Sequence, residues 1–380
     1  MTTGAVTASG TVKRRIGVLG GGQLGQMLGL AGIDLAAEFT FLDPAETPSA
    51  RHVGTHLRCA FADAAGAAAL AAASDVVTYE FEHLHLPTVQ AIAAHTEVHP
   101  SPRALEIVQD RIRQKTFLDR LGVPVAPFAA VESAAELAAA LARLGTPCLL
   151  KTARDGYDGK GQRLIRDPAV AAAAWAELGG VRCVLEGFVT FTRELSLVST
   201  RGRDGAVVFH PLAENEHRSG ILHVSRAPAP ALTAALQEQA ETLARRLLHD
   251  LAYVGTFTIE FFHVADAQGK EGLIVNELAP RVHNSGHWTI EGAVTSQFEN
   301  HVRALMGLPL GDPAATGFAA MVNIVGTFPE RAALLAIPGV HLHDYGKGER
   351  PGRKLGHLTL VDATRAGLEQ RLAQVLPLIP

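Results

Sequence analysis

Glu260 in "TIEFF" and Glu277 in "IVNEL" each stand in an apolar run, with Asn276 beside the second. Carboxylates projecting from buried strands are costly unless they bind something, and two of them with an amide oxygen suit magnesium bridging nucleotide phosphates. The competing reading is an ion pair with Arg281 or another cation. Directly downstream, "APRVHNSGHWT" crowds Arg281, His283, Asn284, Ser285 and His287 around Gly286. Packing does not need so many different donors in one turn. Arg281 and His283 read as site residues, and His287 as a structural histidine.

Two glycine-rich segments suggest anion chemistry. In "IGVLGGGQLGQM", Gly20, Gly22 and Gly25 satisfy GxGxxG between a strand and a helix, and Asp43 ends the next strand where the dinucleotide pattern asks for an acid. The alternative is a turn that brings an anionic ligand to a helix N-terminus. In "LLKTARDGYDGKGQ", Lys151 ends a strand, and Gly156, Gly159 and Gly161 surround Lys160. Small residues and ammonium groups at this spacing suit a flap over a polyphosphate, although the order is not that of a Walker A loop. An ordinary surface turn is the other reading. Glu80 and Glu82 in "VVTYEFEHL" stand at the carboxyl end of a strand, where open α/β sheets bind ligands, and either one also reads as a cap for the next element. "YGKGERPGRKLGHL" groups Lys347, Arg350, Arg353 and Lys354, which make either a solvated basic face or a phosphate pocket.

The elements that must position these groups follow an alternating pattern. "RIGVLG", "FTFLD" and "DVVTYEFE" read as buried strands separated by helices, a βαβαβ unit with a parallel sheet. "SPRALEIVQDRIRQKTFLDRLG" reads as one helix capped by Ser101, with Leu105, Val108 and Ile112 on one face and its end near Gly122. From "PCLLKTA" onward the pattern is α+β: the strands "QRLIRD", "RCVLEGFV", "RELSLVSTRG", "AVVFHPL" and "GILHVSRA", a helix from Pro230 to about His249, then the paired strands "GTFTIEFFHV" and "EGLIVNELAPRV". A tail with the strands "AAMVNIVG", "VHLHDYG" and "HLTLVDA" and a final helix reads as a small closing domain.

Composition narrows the class. A chain of 380 residues is long for one core, and a formal charge of -4 without basic runs argues against a surface that neutralises nucleic-acid phosphates. Cys59, Cys148 and Cys183 have no CxxC spacing and sit in apolar settings, which predicts reduced thiols and a cytoplasmic home. Lys13, Arg14 and Arg15 precede an apolar run in the manner of a signal peptide, but Gln23, Gln26 and the glycines interrupt it. No stretch is long enough to span a bilayer.

Together these motifs resemble the ATP-grasp ligases, and within them the 5-(carboxyamino)imidazole ribonucleotide synthases of purine biosynthesis. "GGGQLGQM", "TYEFE", "QDRIRQK", "GYDGKGQ", "NELAPRVHNSGHWT" and "RPGRKLGHL" occur in that order across nearly the whole chain. The resemblance implies an ATP-grasp fold of α/β and α+β class: a Rossmann-like pre-ATP-grasp domain at 13–100, a grasp domain at 101–311 and a small C-terminal domain at 312–380, while residues 1–12, small and polar without periodicity, read as a disordered leader extra to that pattern. By motif position, ATP would meet Arg111, Lys151, the loop residues Gly156, Tyr157, Asp158, Gly159, Lys160, Gly161 and Gln162, then Glu186, Gly187, Phe188, Val189, Glu194, His217, Asn276 and Glu277. Magnesium would sit on Glu260 and Glu277. Aminoimidazole ribonucleotide would meet Gln23, Leu24, Glu80 or Glu82, Tyr157, Arg281, His283, Asn284, Ser285, Lys347, Arg353 and Lys354. Catalytic roles would fall to Arg281, His283, Lys160 and Tyr157; the family loop often has arginine where Lys160 stands, which keeps the charge and loses the bidentate fork.

The implied reaction is ATP- and bicarbonate-dependent carboxylation of 5-aminoimidazole ribonucleotide through carboxyphosphate, by a homodimer. Three other readings stand beside it. A formate-dependent glycinamide ribonucleotide transformylase would share the ATP and metal residues and differ in the acceptor pocket. A dehydrogenase would place a nicotinamide cofactor at Gly20, Gly22 and Gly25, and a non-catalytic nucleotide binder would lack the paired carboxylates.

Overall fold

The computed structural model describes residues 13–154, 156, 161–266 and 268–380. The expected leader at 1–12 and the flap residues Tyr157, Asp158, Gly159 and Lys160 lie outside the described residues. Among the described residues the strands form three sheets.

The first is parallel, in the order β3-β2-β1-β4-β5. Its elements are β1 (Arg15–Leu19), α1 (Gln23–Gly32), β2 (Glu38–Leu42), β3 (Thr55–Leu57), α2 (Ala64–Ala73), β4 (Val76–Tyr79), α3 (Leu86–Ala93) and β5 (Glu97–Val98). Strands covered on both faces need near-continuous apolar runs, which is what "RIGVL" and "VVTY" supply. One face packs Leu19, Val77 and Tyr79 against Leu70, Val89 and Ile92 of α2 and α3. On the other face, Ile16, Val18 and Phe41 meet Leu24 and Leu28 of α1 and also Phe298 and Val302, which arrive from far along the chain.

The single helix expected over 101–122 is two. Ser101 Oγ caps α4 (Pro102–Val108) by accepting from Ala104 N, and the chain breaks at Gln109 before α5 (Arg111–Arg120). The cause is Asp110: its extended backbone and its carboxylate, which accepts from Ile112 N and Arg113 N, start a new helix. Arg111 therefore stands at a helix start, beside the flap, instead of in a helix interior.

The small antiparallel sheet runs β6-β9-β7-β8. It comprises β6 (Phe128–Val131), α6 (Ala134–Leu144), β7 (Cys148–Thr152), β8 (Gln162–Ile165), α7 (Ala171–Glu177) and β9 (Cys183–Gly187). The flap joins β7 to β8, as the glycine spacing predicts.

The large antiparallel sheet contains β10 (Arg193–Arg201), β11 (Val207–Phe209), β12 (Ala213–Arg218), β13 (Ile221–Ala227), β14 (Gly255–Ala265) and β15 (Glu271–Ala279). It packs on α8 (Ala234–Asp250), α4 and α5. Sequence periodicity misses β12, whose "AENEHR" is too polar to stand out. After α9 (Thr289–Gly292) and α10 (Gln297–Met306), β16 (Phe318–Val325), α11 (Arg331–Leu335), β17 (Val340–Asp344), β18 (Lys354–Asp362) and α12 (Arg365–Val375) follow. The tail has its own core under α12 but shares the large sheet, because β16 pairs with β13, Ser225 opposite Met321. That continuity carries the basic turn at 347–354 back to the amino-terminal loop. No helix among the described residues is long and apolar enough to cross a membrane.

Candidate active site

Glu260 on β14 lies directly opposite Glu277 on β15. The next pair is Phe261 with Val275, so Asn276 is the extra residue of a β-bulge. Consecutive residues of a regular strand point to opposite faces, whereas a bulge re-aims one of them. Burial and the Glu277 charge push the Glu260 carboxyl up to about 7. Neither glutamate is held by Arg281, so the ion-pair alternative fails in that form. Glu260 Oε1 instead meets His283 Nε2 at 3.2 Å. His217 on β12 pairs with Glu194 on β10; burial opposes its protonation, but the Glu194 carboxylate outweighs it and raises the imidazole above its usual value.

The turn at 281–287 is braced from outside. Arg281 donates Nε to Glu82 Oε2 at 2.7 Å and Nη2 to Glu82 Oε1 at 3.1 Å, a bidentate pair. Burial works against ionising Glu82, but Arg281 outweighs it and holds the carboxyl below its usual range. Gln297 clamps the His283 backbone, accepting from its N–H at 2.9 Å and donating to its carbonyl at 2.7 Å. Burial and the Arg281 charge keep the His283 imidazole neutral, and Nδ1 lies 2.9 Å from Ser285 Oγ. Ser285 is fully buried, so its place is behind His283. Asn284 exchanges two amide hydrogen bonds with Asn323, at 2.7 and 3.1 Å, and its Nδ2 also lies 3.0 Å from His287 Nδ1, so its amide is engaged by the protein. His287 is buried against His357 and Phe298, in keeping with its structural reading.

The glycine turn holds a carboxylate of its own. Gly22 N donates to Glu80 Oε1 at 2.6 Å, Gly25 N to Glu80 Oε2 at 2.7 Å, and Gly21 N to Asp43 Oδ2 at 2.8 Å. Of the two acids after β4, Glu80 is therefore the cap, but of α1 rather than of the next element, and Glu82 is the partner of Arg281. Three of the N–H groups expected to receive a ligand anion are taken by these two carboxylates, so the turn is only partly open to one. Glu80 shows why small residues stand there: a Cβ on Gly22 would lie 2.6 Å from Oε1. Leu24 is likewise turned into the core.

Opposite this turn stands the basic one. Lys347 Nζ bonds Gln23 Oε1, and Ser49 Oγ donates to the Tyr345 carbonyl at 2.7 Å. Burial lowers Lys347 to about 8, with the Glu80 charge offsetting part of the effect and Arg353 and Lys354 adding to it. Gln23, Glu80, Lys347, Arg353 and Lys354 are thus neighbours, although more than three hundred positions separate the ends of the set.

On the small sheet, Lys151 Nζ donates to Glu186 Oε2 at 3.1 Å, and the buried Lys115 Nζ stands 3.2 Å from the same oxygen. Sequence reasoning passes over Lys115, because a lysine within a helix carries no local signal. Arg111 Nη2 donates to the Gly156 carbonyl at 3.0 Å, tying α5 to the flap base. Gln162 pairs with Lys151 in register. Gly187 N and Phe188 N donate to the carbonyls of Pro127 and Pro147, while the Phe188 ring is exposed beside Val189. Leu278 N donates to Gln114 Oε1 at 3.3 Å on α5, the helix that carries Lys115, so α5 links the β15 edge beside Glu277 to Glu186 on the small sheet.

A parallel α/β unit followed by two unequal antiparallel sheets that close over lysines and paired glutamates defines an ATP-grasp protein, and residues 116–298 match the ATP-grasp domain family. Residues 13–109 match the ribonucleotide synthetase preATP-grasp domain, and 319–371 the phosphoribosylaminoimidazole carboxylase C-terminal domain. The chain is 49% identical to N5-carboxyaminoimidazole ribonucleotide synthase of Pseudomonas aeruginosa, an alignment that covers 96% of this chain and 99% of the relative. With the Brucella melitensis synthase the identity is 45%, over 91% and 96%. Among solved structures, the N5-carboxyaminoimidazole ribonucleotide synthetase of Thermus thermophilus superposes with a TM-score of 0.91 at 48% identity, covering 96% of this chain and 98% of that one. The Aspergillus clavatus synthase in complex with ADP and 5-aminoimidazole ribonucleotide gives 0.89 at 30% identity, over 96% and 98%. The chain belongs to the N5-carboxyaminoimidazole ribonucleotide synthase family. The dehydrogenase reading of Gly20, Gly22 and Gly25 is thereby displaced.

Proposed function

We propose that this chain uses ATP and bicarbonate to carboxylate the exocyclic amine of 5-aminoimidazole ribonucleotide, giving 5-(carboxyamino)imidazole ribonucleotide, ADP and phosphate. The observation that carries the reading is the bulged Asn276–Glu277 edge opposite Glu260, linked through α5 to Lys151 and Glu186 on the small sheet. Bicarbonate oxygen attacks the γ-phosphorus, ADP leaves, and the carboxyphosphate formed releases carbon dioxide to the amine. Positioning and charge neutralisation supply most of such catalysis.

The donor set fits magnesium: hard carboxylate oxygens, one of them pushed toward protonation by burial and then by its neighbour, so that a cation relieves both. Glu260 and Glu277 would hold the ion, which when bound offsets charge on the nucleotide phosphates. Lys151 on β7 and Arg111 at the start of α5 bind those phosphates. Glu194 and His217 face the nucleotide from β10 and β12. Arg281, fixed by Glu82, and the neutral His283, fixed by Ser285 and Gln297, orient carboxyphosphate and the acceptor. Lys347 and Arg353 bind the ribonucleotide phosphate, and Gln23 positions Lys347. Asn284 acts through its Asn323 pair. Excluding water matters, because carboxyphosphate and carbon dioxide are both readily lost.

Bicarbonate as carboxyl source, a homodimer and a cytoplasmic home, in keeping with three free cysteines, belong to the same reading. The test is ADP release from purified protein with aminoimidazole ribonucleotide and bicarbonate, against glycinamide ribonucleotide and formate. Stimulation by the second pair alone would assign the transformylase reaction instead.

A further inference from the structure

Lys115 is buried to its tip, with 3% of the side chain exposed. It lies three residues after Ile112 on α5, and residues three apart share a helix face; Ile112 packs against Val184 of the small sheet. The ladder sets Glu186 opposite Leu149 and Lys151 opposite Val184, which places Lys151 and Glu186 on that same face. The intervening Cys148, Leu150, Cys183 and Leu185 fill the core on the other side. Two ammonium groups therefore converge on one carboxylate oxygen from two different elements.

The two lysines are not equivalent. Lys151 makes the hydrogen bond to Glu186 and keeps 12% of its side chain exposed. Lys115 is at ion-pair distance only, and neither its Nζ nor Glu186 Oε1 has a hydrogen-bond partner among the described residues. A carboxylate 4% exposed cannot lose its last cation cheaply, because an uncompensated buried charge is strongly unfavourable. With two cations in place, one is free to move.

We propose that Lys115 is a positioning residue for nucleotide binding: it stays on Glu186 as a fixed counter-charge, so that the Lys151 ammonium can leave that carboxylate for the ATP phosphates. The proposal rests on the ATP reading above. Without Lys115, Glu186 has Lys151 as its sole cationic partner among the described residues and holds it back.

The experiment is ADP affinity in the presence of magnesium, by calorimetry, together with steady-state kinetics. Lys115→Met weakens ADP at least tenfold and raises KM for ATP in parallel, while kcat at saturating ATP falls less than threefold. Adding Glu186→Gln, which removes the charge that traps Lys151, tightens ADP again by at least threefold relative to Lys115→Met. A residue needed only for packing gives no such recovery. Should Lys115→Met not fold, the comparison is made in the Glu186→Gln background, where losing Lys115 costs less than threefold and a tenfold loss overturns the proposal. Wild-type protein that fails to bind ADP overturns the ATP reading and the proposal with it. Wild-type binding with unchanged affinity in Lys115→Met, or a double variant no better than the single one, overturns the proposal alone.

Discussion

The Glu80 carboxylate caps helix α1 through the backbone N–H of Gly25, fifty-five positions away, and through that of Gly22. Helix starts usually take their cap from the residue just before them, and here that residue is a glycine with no side chain to offer. Glu80→Ala leaves two N–H groups of this helix start without a partner. The expected loss is about 2 kcal/mol of unfolding free energy, measured by urea denaturation. A loss near zero would show that water replaces the carboxylate at no cost.

Lys347 supplies a pH test of the acceptor pocket. Its ammonium is held at about 8 by burial, against an ordinary lysine value near 10.4. A base with a lowered value loses its charge as pH rises through that value, so phosphate binding is intact below about 8 and fades above it. KM for aminoimidazole ribonucleotide should rise roughly tenfold per unit above that point, while KM for ATP stays level. Lys347→Arg keeps its charge throughout and should flatten the profile. An equal rise in both constants would remove Lys347 from the acceptor site.

Much of this arrangement is legible in the sequence. The Glu260 and Glu277 pair, the flap hairpin after Lys151 and the βαβαβ unit all rest on local periodicity, and local periodicity survives folding. What escapes depends on register and on distant partners. The bulge at Asn276 is a one-residue slip that no alternation pattern reveals. Asp110 reads as helix interior because its neighbours keep the period, although its carboxylate starts a new helix. Glu82 and Arg281 are separated by 199 positions, and either alone looks like a ligand group. Gln297, Asn323 and His357 brace the 281–287 turn from three other elements, and nothing near them in the chain points to it.

That Glu82 and Arg281 pair separates structure from chemistry. Arg281→Met strands a largely buried carboxylate and should cost about 3 to 5 kcal/mol in chemical denaturation. Adding Glu82→Gln removes the stranded charge, so most of that stability returns. Turnover should not return with it, because the guanidinium proposed to orient carboxyphosphate and the acceptor is still missing. A double variant that regains wild-type turnover would make Arg281 a purely structural residue.

The paired glutamates make the sharpest prediction about metal. Glu260 has a folded-state value of about 7, above the ordinary 4.3 of an exposed glutamate. The folded protein therefore binds more protons than the unfolded chain between those two values, and stability falls as pH rises through that window. Below about 4.3 the penalty is absent; above 7 it is complete and on the order of 3 to 4 kcal/mol, as the size of the shift implies. His283, His217, Glu194 and Lys354 titrate or carry charge around the same group, so the comparison is between wild type and Glu260→Gln, which share them. Without magnesium, the variant should be the more stable at pH 8, and the two should converge near pH 4. A cation on the pair favours the ionised form, so magnesium with ADP should raise the wild-type melting temperature at pH 8 and leave that of Glu260→Gln nearly unchanged. Glu277→Gln should fold normally and lose turnover. Equal stabilisation of wild type and both variants by magnesium would place the ion elsewhere.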